Sequence, residues 1–139
     1  VNNLDGPFDF KCPRHQFLSH IWSIHNNHNE DRVFDLGCRQ IPIGQPDDCH
    51  ETGWANGFDG PLTFQCPNAG VITGIASEHN NYNEDRRFKF QCCQSKAGTC
   101  ISNCRYTGYV NSYDGEFNYN VKSGYVLRGV NSIHNNHNE

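Results

Sequence analysis

The residues best suited to chemistry sit in one polar run that the chain spells more than once. Ser23-Ile24-His25-Asn26-Asn27-His28-Asn29-Glu30 recurs letter for letter at residues 132–139, and a near copy, His79-Asn80-Asn81-Tyr82-Asn83-Glu84, stands between them. An Asn amide offers a donor and an acceptor side by side, which suits the hydroxyls of a sugar. The spacing His25-x-x-His28-x-Glu30 could suit a transition metal, but Tyr82 replaces the middle His in the second copy and a three-ligand site fails there. The oxygen-rich Asn-Asn-x-Asn-Glu-Asp run could take calcium, although it lacks the carboxylate spacing of an EF-hand. A plainer reading is a turn, because Asn tolerates left-handed backbone and caps its own turn. We expect the run to contact carbohydrate through His25, Asn26, Asn27, Asn29, Glu30, His79, Asn80, Asn81, Tyr82, Asn83, Glu84, His134, Asn135, Asn136, Asn138 and Glu139. Trp22, Trp54, Tyr82 or Tyr113 could stack on a sugar face. No resident metal or other cofactor is expected, with calcium the one candidate.

Catalysis finds little support. Neither a Gly-x-Ser-x-Gly elbow nor a His-Glu-x-x-His helix is present. Glu30 and Asp31 would be neighbours on a strand and point to opposite faces. A site spelled three times suits a binding protein better than a small enzyme. The net charge of −4 argues against nucleic acid or an anionic membrane as partner. Arg86-Arg87 with Lys89 is the one basic cluster, and it could touch sulfate on a glycosaminoglycan. No apolar run approaches the roughly 20 residues of a membrane helix, so membrane insertion is not expected.

The elements that position these residues form a tandem repeat. Asp5-Gly6, Asp59-Gly60 and Asp114-Gly115 each precede the aligned His25, His79 and His134 by twenty residues, a period of 54 and then 55. The units run 1–53, 54–107 and 108–139 within a single domain. Phe8-x-Phe10-x-Cys12-Pro13 matches Leu62-x-Phe64-x-Cys66-Pro67, and the third unit has Phe117-x-Tyr119-x-Val121. Alternation of period two predicts strands here, over 17–25, 71–79 and 126–134, and around Phe34-x-Leu36-x-Cys38 and Phe88-x-Phe90-x-Cys92. Asp-Gly pairs mark turns, and 39–52 and 94–107 read as connectors. The third unit stops where its Asp-Arg segment would begin, so we expect it to be truncated; with no signal peptide before Val1, the sequence reads as a mature form. The fold class is therefore all-β, with pseudo-threefold symmetry in a barrel, prism or trefoil-like arrangement. Parity places His25 on the same side as Phe17 and Ile21, hence inward. It also places Arg32 and Arg86 with Phe34 and Phe88, where an arginine needs a carboxylate; Asp5, Asp59, Glu30 and Glu84 are candidates. We expect Asp31-Arg32 and Asp85-Arg86 to be structural.

Eight cysteines in 139 residues point to disulfides and an extracellular setting. The repeat favours Cys12–Cys38 and Cys66–Cys92, one staple per unit, with Cys49 and Cys93 joining across units. Cys100 and Cys104 are left, to pair together or elsewhere.

The segments Asp31-Arg32-Val33-Phe34-Asp35-Leu36-Gly37-Cys38 and Asp85-Arg86-Arg87-Phe88-Lys89-Phe90-Gln91-Cys92-Cys93, followed by Cys100-x-x-x-Cys104, resemble the dermatopontin family over nearly the whole chain. The likeness is to its invertebrate branch of haemagglutinins and amebocyte aggregation factors. Phe34 and Phe88 stand where that family places Trp, and the third motif is missing. The resemblance implies a secreted, non-catalytic protein that links cells or matrix through glycans. We expect a carbohydrate-binding agglutinin, whose avidity rises with its three loops or by homo-oligomerisation. The alternative is a matrix adhesion protein acting through proteoglycan or protein partners without a defined sugar site.

Overall fold

Phe8, Phe10, Phe34, Leu36, Phe88 and Phe90 recur at every second position within their segments, so extended backbone puts their apolar side chains on one face. A computed structural model describes residues 1–41, 46–95 and 104–135, without the side chains of residues 46, 47 and 95. The described residues contain no helix. Their strands are β1 Phe8–Lys11, β2 Gln16–Asn26, β3 Asp31–Gln40, β4 Pro46–Glu51, β5 Leu62–Gln65, β6 Val71–Asn80, β7 Asp85–Ser95, β8 Phe117–Asn120 and β9 Gly129–Ser132. They form three sheets in the orders β1-β6-β7-β4, β3-β2-β8 and β5-β9, all antiparallel, in a curled half-barrel.

Two long hairpins, β2–β3 and β6–β7, carry the structure, and the short strands are traded between units. β1 lies on β6 of the second unit, β5 on β9 of the third, and β8 on β2 of the first. The register agrees at each junction: Phe8 opposes Ser77, Leu62 opposes Ser132 and Phe117 opposes Ser23. A bulge follows Leu18 in β2 and Ile72 in β6. The bulged Ser19 and Thr73, and the aligned Arg128, each turn a carbonyl to the residue after the traded strand. Val121 N–H reaches Ser19 at 2.8 Å, Cys12 N–H reaches Thr73 at 2.8 Å and Cys66 N–H reaches Arg128 at 2.9 Å. A bulge that leaves one carbonyl outside its own ladder thus supplies the neighbour's anchor.

Phe8, Leu18, Phe34, Leu36, Leu62, Ile72, Ile75 and Phe90 form the main core; Phe34 links Phe8 to Phe88, and Phe64 stacks on Phe90. Disulfides join Cys12 to Cys38, Cys66 to Cys92 and Cys49 to Cys93, the pairing expected from the repeat. Cys104 is a free, exposed thiol, and Cys100 lies outside the described residues. Two expectations need correcting. Residues 39–52 are more than a connector, because Pro46–Glu51 pairs with β7 and places Cys49 opposite Cys93. The third long strand shrinks from 126–134 to Gly129–Ser132, since the only ladder that holds it among the described residues is the four-residue β5.

Candidate functional site

Each polar run caps a hairpin, and its members divide into framework and surface. In the first loop Asn26 Oδ1 accepts the N–H groups of His28 and Asn29, both at 3.0 Å. In the second, Asn80 Oδ1 accepts those of Tyr82 and Asn83, both at 2.9 Å. The first Asn of each run is therefore a turn cap. Glu30 and Glu84 close the turns with positive φ angles of 49° and 51°. The histidines point inward: the side chain of His25 is 3% exposed and that of His79 is 1%. His25 Nδ1 bonds Asn27 Oδ1 at 2.8 Å, and His79 Nδ1 bonds Asn81 Oδ1 at 2.9 Å. Asn83 donates to Asp59 at 3.0 Å, and Asn29 reaches Asp5 at 3.5 Å. What remains at the surface is Asn27, His28, Asn81 and Tyr82, the last with 94% of its area exposed. His134 and Asn135 are half-buried, while Asn136, Asn138 and Glu139 lie outside the described residues.

Beneath the loops lie charged junctions between units. Asp5 Oδ1 is 3.5 Å from His79, Asp59 Oδ1 is 3.3 Å from His134, and Asp114 Oδ1 is 3.5 Å from His25. All three aspartates have positive φ, near 60°, in their Asp-Gly turns. The sequence marked them as turn residues, and Asp5 and Asp59 also as candidate partners of an arginine; their constant spacing to the histidines was the signal of a shared site. Arg86 Nε and Nη2 grip the Asp31 carboxylate of the preceding unit at 2.6 and 2.8 Å, and Nη2 also donates to Gly6 O at 2.9 Å. The partner is thus Asp31 rather than Asp5, Asp59, Glu30 or Glu84. Burial alone would raise the Asp31 carboxyl. The Arg86 guanidinium and the N–H groups of Asp5 and Arg32 outweigh it and hold the group below the ordinary aspartate range. Asp85, aligned with Asp31, moves the other way. Burial raises it, and the N–H groups of Arg86 and Asp59 and the nearby His134 compensate only in part.

Two groups, Asp5 with Asp31 and His79, and Asp59 with Asp85 and His134, have metal-ligand proximity. In the first, Arg86 already neutralises Asp31 through two short hydrogen bonds, so a cation would have to displace it. A basic, aromatic patch lies elsewhere: the Arg87 guanidinium sits 4.1 Å over Trp54 and 5.1 Å over Phe58, with Lys89 5.1 Å from Trp54.

A haemagglutinin/amebocyte aggregation factor of Limulus polyphemus is 43% identical over 140 residues, covering 100% of this chain and 80% of the relative. A dermatopontin of Biomphalaria glabrata is 42% identical over 135 residues, covering 95% of this chain and 88% of the relative. Millepora cytotoxin-1 of Millepora dichotoma is 39% identical over 143 residues, covering 100% of this chain and 61% of the relative. No solved structure matches. The dermatopontin family model matches residues 2–139, and the chain belongs to the dermatopontin family.

Proposed function

We propose that this is a secreted carbohydrate-binding agglutinin that cross-links cells or matrix through several weak glycan contacts. One observation carries the reading. Two loops with the same internal hydrogen bonds present an amide and a ring, Asn27 with His28 and Asn81 with Tyr82, on a turn fixed by Asn26 or Asn80. A preorganised amide beside a stacking ring meets a sugar at low entropic cost. The relatedness to a haemagglutinin/aggregation factor supports the same activity, and three disulfides suit an extracellular life. The traded strands support three equivalent units about a common axis, which would display the loops together. Haemagglutination with sugar inhibition, with and without EDTA, tests the proposal. Asn27→Ala with Asn81→Ala and Tyr82→Ala should abolish agglutination in a folded protein. A glycan array with no bound sugar would sink the lectin reading.

A second reading rests on the Arg87, Lys89, Trp54 and Phe58 patch, which suits a sulfated glycosaminoglycan or an acidic matrix partner. It fits the relatedness to dermatopontins. Binding to a heparin column that falls with salt and with Arg87→Ala, but ignores the loop variants, would favour it.

A further inference from the structure

We propose that the outer face of the β3-β2-β8 sheet, centred on Trp22, is a binding site for a neutral sugar residue, separate from the hairpin loops. Trp22 opposes Asn118 on β8 and Asp35 on β3, and His20 opposes Asn120. Directly opposed residues share a face, so the indole stands among two amides and a carboxylate. Period two turns this face away from Ile21, Phe34 and Leu36, which point to the core. Trp22 is partly exposed and, among the described residues, belongs to neither core cluster. An indole on the solvent side of a sheet is apolar area available to a ligand.

The surroundings hold this platform in place. Trp22 Nε1–H donates to Glu116 Oε1 at 2.8 Å. Asn118 Oδ1 accepts from His20 Nε2 at 2.6 Å, which leaves its Nδ2 group as a donor with no partner among the described residues. His20 depends on the glycine opposite it, because a Cβ at Gly37 would stand 3.2 Å from His20 Cβ. The matching positions elsewhere do without a ring. Ala76 stands between Asp9 and Lys89 in the second sheet, and Asn131 opposes Thr63 in the third. The repeat therefore folds without an aromatic there, and Trp22 is an addition of the first hairpin.

These groups specify the ligand. The C–H face of a pyranose suits the negative face of an indole. Its hydroxyls then meet a donor, Asn118 Nδ2, and acceptors, the second oxygens of Asp35 and Glu116. Side chains already fixed by their own hydrogen bonds lose little freedom on binding. Asp35 and Glu116 form no salt bridge with Lys or Arg among the described residues, so the face repels sulfate and carboxylate groups. Trp54 lies instead beside Arg87 and Lys89, so the two tryptophans of the chain report on ligands of different charge.

The test is a heteronuclear NMR titration of the isotope-labelled chain with lactose, cellotriose, chitotriose and a heparin tetrasaccharide, each alone. It reads the two indole N–H signals, which Trp22→Phe assigns. At least one neutral sugar should shift the Trp22 signal saturably, and heparin should not. Trp22→Ala should weaken that binding about tenfold or more. Asn118→Asp keeps the oxygen that His20 holds and removes the donor, so it should weaken binding about fivefold or more in a folded protein. Asn27→Ala with Asn81→Ala and Tyr82→Ala should keep the Trp22 response while losing agglutination, since one remaining site per molecule cannot cross-link. The loop reading and this one therefore fail separately. No saturable Trp22 shift with any neutral sugar, or a response unchanged in Asn118→Asp, would overturn the proposal. So would a Trp22 response to heparin alone, or self-association that Trp22→Ala abolishes, because the occupant would then be an anionic glycan or a second copy.

Discussion

Asp31 and Asp85 hold matching places in successive units, yet their surroundings push them apart in acidity. The Asp31 carboxylate is 1% exposed and shares two hydrogen bonds with Arg86. Removing one partner of a buried pair leaves an uncompensated charge, so Arg86→Ala or Asp31→Ala should cost about 3–5 kcal/mol in chemical denaturation. Asp31 has a folded pKa below its unfolded one. Its contribution is complete above about pH 4 and is lost as pH falls through the folded value. Asp85 has a folded pKa above its unfolded one, because burial outweighs its hydrogen bonds. Ionised at neutral pH it costs stability, and that cost fades as pH falls through the folded value. Asp85→Asn should therefore raise the melting temperature at pH 7, with the gain gone near pH 4. A melting series from pH 3 to 8 that showed Asp85→Asn destabilising at neutral pH would refute this account.

At the scale of the element, each hairpin turn separates what folds from what is offered to a ligand. Asn26 and Asn80 each hold two backbone N–H groups, so Asn26→Ala or Asn80→Ala should cost about 1 kcal/mol. Tyr82→Ala should leave the melting temperature within error, since the ring is exposed. Calorimetry of the three variants decides between cap and contact. Much at this scale was legible from residue order alone. Period-two alternation located the long strands, and the repeat paired Cys12 with Cys38 and Cys66 with Cys92. Parity turned His25 inward, where it is found. The trading of β1, β5 and β8 was not legible, because alternation states which face is apolar but not which neighbour covers it. The Asp31–Arg86 pair was hidden for the same reason, its members being 55 residues apart in different units. β4 escaped because residues 46–51, Pro-Asp-Asp-Cys-His-Glu, carry no apolar alternation; the edge of β7 and the Cys49–Cys93 disulfide hold them extended.

For the whole molecule, traded strands and a shared charge pair mean that no unit is complete alone. β1 without β6 would expose an edge, and Asp31 without Arg86 would leave a buried carboxylate unpaired. The first two units should unfold in one transition, tied also by Cys49–Cys93 across 44 residues. Cys49→Ser with Cys93→Ser should cost about 4 kcal/mol in the chain-entropy model. The same coupling shapes function, because loops on one scaffold act at a fixed separation. Linked weak sites gain avidity of about 10²-fold or more without any new contact, provided that they can engage together. Tyr82→Ala removes one ring while the Asn27 and His28 surface persists. Binding to a soluble monovalent sugar should then fall by no more than about half in capacity, while the agglutination titre falls by at least about tenfold. Equal losses in the two assays would mean that the loops do not act together, and that cross-linking comes from association of whole molecules.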